Sequence, residues 1–387
     1  MDIYEKSLEE HLKHKGKIKV ESKVPLNSKE DLSIYYSPGV AGVSSYLAKN
    51  PNETFRYTSV NNSVAVISDG SSVLGLGNIG PEGALPVMEG KAILFKNFAD
   101  IDAFPIVLNT QDPDEIVKTV LNIAPSFGGI NLEDISAPNC FYVEEQLKER
   151  LSIPVMHDDQ HGTAVVVLAG LINACKVTGR NLQDAKIVII GAGAAGVAIA
   201  KLLHEYGKRL EQVTGYGGPR MFAVDSKGVI HKGRSGLNES KLRLLDFVNL
   251  SNTMASVEEV VSGADIIIGV SGPGSITPQM VSAMSKNAIV FALANPEPEI
   301  MPDLAKTAGA AIVATGRSDF PNQVNNVLAF PGIFRGALDN RQPITDDIKI
   351  KAAEAIASLV KKPSEDEIIP SPLNPAVVDA VASVFKK

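Results

Sequence analysis

Residues 186–207, KIVIIGAGAAGVAIAKLLHEYG, decide the fold class. KIVII is a short β-branched run, GAGAAG a glycine turn, and VAIAKLLHEYG carries apolar residues at helical spacing, so the order is strand, tight turn, helix. A second run, RMFAVD at 220–225, follows, and further runs stand at ADIIIGV (264–270), NAIVFALANP (287–296) and AAIVATG (310–316). Strands alternating with helices in this way build a parallel sheet with helices on both faces.

Upstream, GTAVVVLAGLINACKVTG (162–179) reads as one long buried helix leading into this unit, and the chain before it has a looser texture. That part reads as a helix up to about His14, a loop through YYSPGVAG (35–42), strands at VAVIS (64–68) and DAFPIVL (102–108), and helices at Asp114–Ile123 and Tyr142–Leu151. The expected class is therefore α/β in two domains: an N-terminal α/β unit over 1–160 and a doubly wound parallel sheet over 161–387. The last stretch, 370–387, carries a helical pattern after a Pro-rich loop and is expected to fold back onto one domain.

The 387 residues agree with about two to three domains of average size. Lys and Arg number 37 against 44 Asp and Glu, so 37 − 44 = −7 and no overall basic field draws in nucleic acid. Cys140 and Cys175 lack CxxC spacing, which argues against a disulfide framework or structural zinc and fits a reducing, cytoplasmic compartment. The start MDIYEKSLEEHLKHKGKIKV has no apolar signal core, and the most apolar stretch, Thr163–Cys175, is shorter than the ~20 residues that cross a bilayer. Neither nucleic acid nor membrane is an expected partner.

The pattern GxGxxG occurs twice, at Gly75, Gly77, Gly80 and at Gly191, Gly193, Gly196, so context must choose. A dinucleotide site needs a preceding strand, a helix whose free N–H groups face the pyrophosphate, and an acid ending the next strand for the ribose hydroxyls. The second copy has all three: KIVII, then Gly191, Ala192, Gly193, Ala194, Ala195 and Gly196 opening a helix, then Asp225. Its spacing of 225 − 196 = 29 residues is wide, and the insert GYGGPR (215–220) accounts for it. The first copy has acids at similar distance, Asp100 and Asp102, but Pro81, Gly83 and Pro86 interrupt the segment that should be its helix. Its glycines are read as letting backbone segments pass closely within the first domain. A carboxylate at Asp225 accepts from a free 2′-hydroxyl and repels a 2′-phosphate, which favours NAD, although Lys227 could offset that for NADP.

Carboxylates cluster in NLEDISAPNC (Glu133, Asp134) and MHDDQHG (Asp158, Asp159), each just after an apolar run and so near strand ends. Oxygen ligands from two loops suit Mg²⁺ or Mn²⁺. Each pair alone reads more readily as a helix cap or solvated charge than as a metal site, and it is the company the two pairs keep that favours the metal. A zinc site through His157 and His161 is the weaker reading, since histidines four apart without HExxH are more often surface or capping residues.

At this point the residues resemble a family. YSPGVAG (36–42), SDGSSVLGLGNIGPEGALPVMEGK (68–91), NLEDISAPNCF (131–141), MHDDQHGTA (156–164), FALANPEPE (291–299) and ATGRSDFPNQVNNVLAFPGIFRGA (314–337) are similar to the blocks of malic enzyme in its short bacterial and archaeal form. The match runs in order across almost the whole sequence. It implies oxidative decarboxylation of L-malate to pyruvate and CO₂ with NAD, NADP possible, and Mg²⁺ or Mn²⁺. With the sequence ending at Lys387, the resemblance is to the form without a phosphotransacetylase-like extension.

The same resemblance implies Glu133, Asp134 and Asp159 as metal ligands and Lys91 as general base, with burial and the metal lowering its pKa toward the working range. Lys96 is its rival five residues on. Asp158 would orient the Lys91 amine, Tyr36 would protonate C3 of enolpyruvate, and Asn295 and Asn326 would bind malate, Asn295 bordering the nicotinamide as well. One departure stands out: Ser72 occupies the place where larger eukaryotic relatives carry an arginine for a substrate carboxylate. A homodimer, with the segment around Tyr36 reaching the partner's site, is also implied. Two other readings stay open: a metal-independent NAD-linked hydroxy- or amino-acid dehydrogenase, and a non-catalytic dinucleotide sensor.

Overall fold

The computed structural model describes residues 2–214 and 218–385, so Gly215–Gly217 of the GYGGPR insert lie outside the described residues. Two sheets organise the chain. The first holds β1 (Ser63–Ser68), β2 (Asp102–Val107), β3 (Gly129–Leu132) and β4 (Val155–His157), all parallel, in the order β2-β1-β3-β4. The second holds β5 (Lys186–Ile190), β6 (Arg220–Asp225), β7 (Gly228–Val229), β8 (Ile266–Gly269), β9 (Ala288–Ala292) and β10 (Ala310–Thr315), ordered β10-β9-β8-β5-β6-β7. Its two-residue edge strand β7 is antiparallel, so the sheet is mixed rather than purely parallel, because β6 turns back on itself in a short hairpin.

Alternation along the strands shows why both faces are covered. In β5, Ile187 and Ile189 enter one apolar cluster while Val188 and Ile190 enter another on the opposite face. In β1, Val64 and Val66 point one way and Ala65 and Ile67 the other. All eight are buried, as parallel strands between two helical layers must be. Each sheet reverses direction once: β1 sits between β2 and β3, and β5 between β6 and β8. Ligand crevices form outside the strand ends at such switch points.

The helix Asp158–Thr178 starts directly after β4 and carries its buried side chains into the core shared with the second sheet. At 21 residues it is longer than the apolar stretch read from the sequence and long enough by composition to cross a membrane. Most of its residues are buried inside the protein, which assigns it to the core.

Two expectations for the N-terminal part fail. The YYSPGVAG loop is mostly helical: one helix, Lys29–Tyr35, starts at a Ser28–Asp31 capping box, and another, Gly39–Lys49, starts after Pro38. The segment with Pro81, Gly83 and Pro86 is one continuous helix, Gly80–Ala99. Pro81 falls in the first turn, where its missing N–H had no partner to lose, and the buried face Ala84, Met88, Lys91, Ala92, Phe95 outweighs the bond lost at Pro86.

The C-terminal segment does fold back: the helix Ala376–Ala382 packs on the helix Phe330–Asn340, which itself packs on Gly80–Ala99. The aromatic contacts Phe95–Phe330 (centroids 4.8 Å apart) and Phe95–Phe334 (5.3 Å) seal this junction between the first domain and the end of the chain. Phe334→Ala, which empties a fully buried position, is expected to cost about 3–5 kcal/mol of stability, read from denaturant unfolding. A loss below about 1 kcal/mol would show that the junction is not a packed core.

Candidate active site

Three parallel strands of the first sheet end in carboxylates. Asp69 follows β1, Glu133 and Asp134 follow β3, and Asp158 and Asp159 follow β4. Backbone bonds lace these loops together: Glu133 N–H donates to the Ile67 carbonyl (2.8 Å), Ser72 N–H to that of Asp134 (3.0 Å), and Asp134 N–H to the Asp159 carboxylate (2.8 Å). Asp134 is held in the left-handed region at φ 54°, a conformation aspartate tolerates better than most residues.

Carboxylate oxygens of Glu133, Asp134 and Asp159 lie within 4.8 Å of one another. From the middle of its helix, Lys91 reaches in with its ammonium 2.6 Å from Asp158 and 2.9 Å from Glu133, over the Phe330 ring at 4.1 Å. Lys96 is half-exposed and pairs outward with Asp100 and Asp102. Asn326 donates its amide to the same Asp158 oxygen that Lys91 holds, so one of its donors is spent on positioning a carboxylate rather than free for substrate. Asn131 steadies Glu133 from 2.8 Å.

Four carboxylates against one ammonium leave 1 − 4 = −3 in a largely desolvated space. Burial pushes the carboxyls of Glu133, Asp134 and Asp159 above the ordinary range, and Asp158 up to about 7. The lysine goes the opposite way from the sequence expectation. Burial works to lower its pKa, but Asp158 and Glu133 outweigh it and hold the amine above its ordinary value.

Among the described residues, eight buried side-chain atoms lack a hydrogen-bond partner, and six belong to this region: Asp69 Oδ2, Asn131 Oδ1, Asp134 Oδ2, Asp158 Oδ1 and both ring nitrogens of His157. Such groups are costly unless something completes them. The oxygen-only donor set, its excess negative charge and the orphaned Asp134 oxygen fit a hard divalent cation. The histidines are not surface residues. His157 is fully buried with Nε2 3.5 Å from Asp159, and His161 is locked between Glu144 (2.8 Å) and Lys349 (3.0 Å).

The second sheet supplies its own crevice at its switch point. A cavity of about 780 Å³ is lined by Gly191, Ala192 and Gly193 after β5, Asp225 after β6, and Val270 and Ser271 after β8. Ala194, Ala195 and Gly196 open the helix Ala194–Thr214; a Cβ on Gly196 would stand 1.9 Å from the Gly191 carbonyl, so only glycine lets helix and turn meet. Asp225 does not wait free for a ribose. Arg234 and Lys241 hold it, and Lys227 reaches it with its backbone N–H rather than its ammonium. Burial alone would raise the Asp225 carboxyl; these bonds hold it down at about 2.

The first glycine copy serves the junction between domains. A Cβ on Gly75 would meet the Asn295 carbonyl at 2.2 Å, a close passage to the second domain, while Gly80 runs against Gly70 within the first, where a Cβ on Gly70 would meet the Gly80 carbonyl at 2.2 Å. Tyr36 stands apart: it is 67% exposed, and no hydrogen bond or ion pair links it to Lys91 or the carboxylates. The residues that sequence reasoning missed are Asn131 and Phe330, both inside the quoted blocks, and Arg234 and Lys241, which no local pattern announces.

Residues 15–148 match the malic enzyme N-terminal domain and residues 160–383 the malic enzyme NAD binding domain. The Bifunctional malic/malolactic enzyme of Bacillus subtilis is 53% identical over 100% of this chain and 93% of its own length. The NADP-dependent malic enzyme of Halomonas elongata is 45% identical over 95% of this chain and 89% of its own. The crystal structure of the NAD-dependent malic enzyme of Thermotoga maritima superposes with a TM-score of 0.92 at 48% identity, covering 100% of this chain and 99% of that one. A cluster of acids at the strand ends of one sheet, a glycine-turn crevice at the switch point of the other and likeness along the full length converge: the chain belongs to the malic enzyme family.

Proposed function

We propose that the protein oxidatively decarboxylates L-malate to pyruvate and CO₂ with NAD as hydride acceptor, NADP also being accepted, and that Glu133, Asp134 and Asp159 hold Mg²⁺ or Mn²⁺. The observation that carries the reading is the buried Lys91–Asp158–Glu133 constellation beside the ligand trio, at strand ends that meet the cofactor domain. When bound, the divalent ion supplies positive charge for the substrate's C1 carboxylate and C2 oxygen. A dinucleotide held at the Gly191–Gly193 turn and Asp225 would supply the acceptor for the hydride on C2.

Lys91 is the group placed to take the C2 hydroxyl proton, and Asp158, itself fixed by Asn326, sets the direction of its amine. Asp158 and, after it, Glu133 keep the amine protonated against the effect of burial, so Lys91 would work as a base only once those carboxylates are otherwise neutralised. Tyr36 delivers the proton to C3 at the end of the sequence. No residue from 2 to 62 is buried in the single chain, and sixteen of the 28 exposed large apolar side chains among the described residues lie in that stretch. An exposed apolar face of this extent is one that a second copy of the chain would cover, and it supports a homodimer in which Tyr36 would serve the partner's site.

The test is turnover of malate with NAD and Mn²⁺, followed as pyruvate formed, with and without EDTA. Activity that persists in EDTA supports the metal-independent dehydrogenase instead, and dinucleotide binding without turnover supports the sensor.

Lys91→Ala is expected to lower the rate roughly 10²- to 10⁴-fold while Lys96→Ala changes it little. Comparable losses in both would remove the assignment. Mn²⁺ affinity, measured by calorimetry, is expected to strengthen as pH rises from about 5 to 8, because the raised ligand carboxyls hold protons that the ion must displace; flat affinity across that range contradicts the ligand set. Mixing inactive Tyr36→Phe with inactive Lys91→Ala protein, after subunit exchange, is expected to restore turnover. Continued inactivity would place Tyr36 in its own chain's site.

A further inference from the structure

A second cavity, of about 1100 Å³, lies between the domains beside the turn that carries Asp158 and Asp159. Gln160 and His161, the next two residues, line it, together with the helices Asn139–Arg150, Ala194–Thr214 and Asp346–Ser358. Among the described residues it shares only Ser240 with the glycine-turn crevice, and neither Lys91 nor a proposed metal ligand lines it.

Its inner end carries more positive than negative charge. Lys349 and Lys201 hold the two oxygens of Asp346, each at 2.8 Å, and Lys148 holds Glu144 at 2.6 Å. His161 joins the two groups and is neutral, because one ring nitrogen donates to Glu144 while the other accepts from Lys349. Three ammoniums against two carboxylates leave 3 − 2 = +1. Lys349 is 3% exposed and spends two of its three N–H donors, on Asp346 and His161. Burial, with Lys148 next, holds its amine down at about 8, as expected of a positive charge short of a partner.

The rest of the lining sets the class of anion. Phe141, Val197, Ala198, Phe247 and Ile344 supply apolar wall, the setting in which a few convergent polar groups orient a small ligand. Five exposed acids, Asp114, Glu145, Glu149, Glu239 and Asp246, stand at the solvent side against the one cation Arg243, which Glu145 and Glu239 already pair. Solvent screens them from a single charge, but together they repel a polyanion such as a nucleotide. We propose that this cavity is an effector site for small organic monocarboxylates, the carboxylate taken by Lys349, Lys148 and Lys201 and the apolar body laid against Phe141 and Phe247. Glu144 carries the signal: it holds Lys148, His161 and the His157 backbone N–H (3.0 Å), one residue before Asp158. An anion that draws Lys148 to itself leaves the Glu144 charge to His161 and that N–H, so the turn bearing Asp159 is held more firmly. This coupling rests on the metal reading above; the binding does not.

Calorimetric titration of the full chain with hexanoate, without and with saturating Mn²⁺, tests both parts. One site per chain is expected, weakened about tenfold or more in Lys349→Met and in Lys201→Met, each losing a charged hydrogen bond, and unchanged in Lys208→Met, on the same helix as Lys201 but outside the cavity. Thermal melting checks that Lys349→Met is folded; if it is not, the half-exposed Lys201 decides. Mn²⁺ is expected to tighten hexanoate about fivefold, and hexanoate to tighten Mn²⁺ by the same factor. Hexanoate that competes with malate and binds both lysine variants as it binds the wild type sits in the active site and overturns the proposal. Acetate or chloride binding as tightly as hexanoate leaves the apolar wall without a role and overturns the ligand class. Lysine-dependent binding that Mn²⁺ leaves unchanged overturns the effector role. Failure to bind Mn²⁺ at all removes the metal reading instead, while lysine-dependent hexanoate binding still upholds the site.

Discussion

One buried ammonium holds this protein's chemistry together. Lys91 comes from the first domain's central helix, Asp158 from the first turn of the helix that enters the second domain, Glu133 from the end of β3, and the Phe330 ring from the chain's C-terminal third. Each is desolvated, and none could be buried charged without the others. The aggregate is still unbalanced, since a single positive charge faces four acids. Natural structures retain such unfavourable clusters where a ligand completes them, and the orphaned oxygens around this one mark the same deficit by a second criterion.

The turn that presents Asp158 and Asp159 has its own anchor. Buried Glu144, on the helix Asn139–Arg150, accepts from the His157 backbone N–H (3.0 Å), Lys148 (2.6 Å) and His161 Nε2 (2.8 Å). With Nε2 donating to Glu144, His161 Nδ1 is left to accept from Lys349, which requires a neutral ring. Burial lowers the His161 pKa to about 3, which agrees. Lys349 lies on the helix Asp346–Ser358, so the network ties a helix of the first domain to one near the chain's end, across the turn that bears the acids.

What could be read from sequence was whatever its own neighbours determine. Strands β1, β2, β5, β6, β8, β9 and β10, the glycine turn and both acid pairs were legible because a buried parallel strand is a short apolar run and a strand-end acid adjoins it. The helix through Pro86 was not, since an apolar face in tertiary contact overrode local propensity. Nor could spacing choose Lys91 over Lys96: one points inward and the other outward along the same helix, and only the position of β3 and β4 tells which way is in. Arg234 and Lys241 lie 9 and 16 residues past Asp225, beyond a hairpin, so no motif length joins them.

The long helix Asp158–Thr178 sets how the two domains can move. Its first residues carry acids of the first domain's site, while its buried length is packed into the core beneath β5. Asp158 and Asp159 therefore travel with the cofactor domain's core, and Lys91 travels with the helix Gly80–Ala99. The 2.6 Å bond between Lys91 and Asp158 is in that sense a contact between domains, as is the close passage of Gly75 by Asn295. Separating the two sheets would therefore also part the amine from its carboxylate, so the Lys91–Asp158 pair depends on how the two domains are docked.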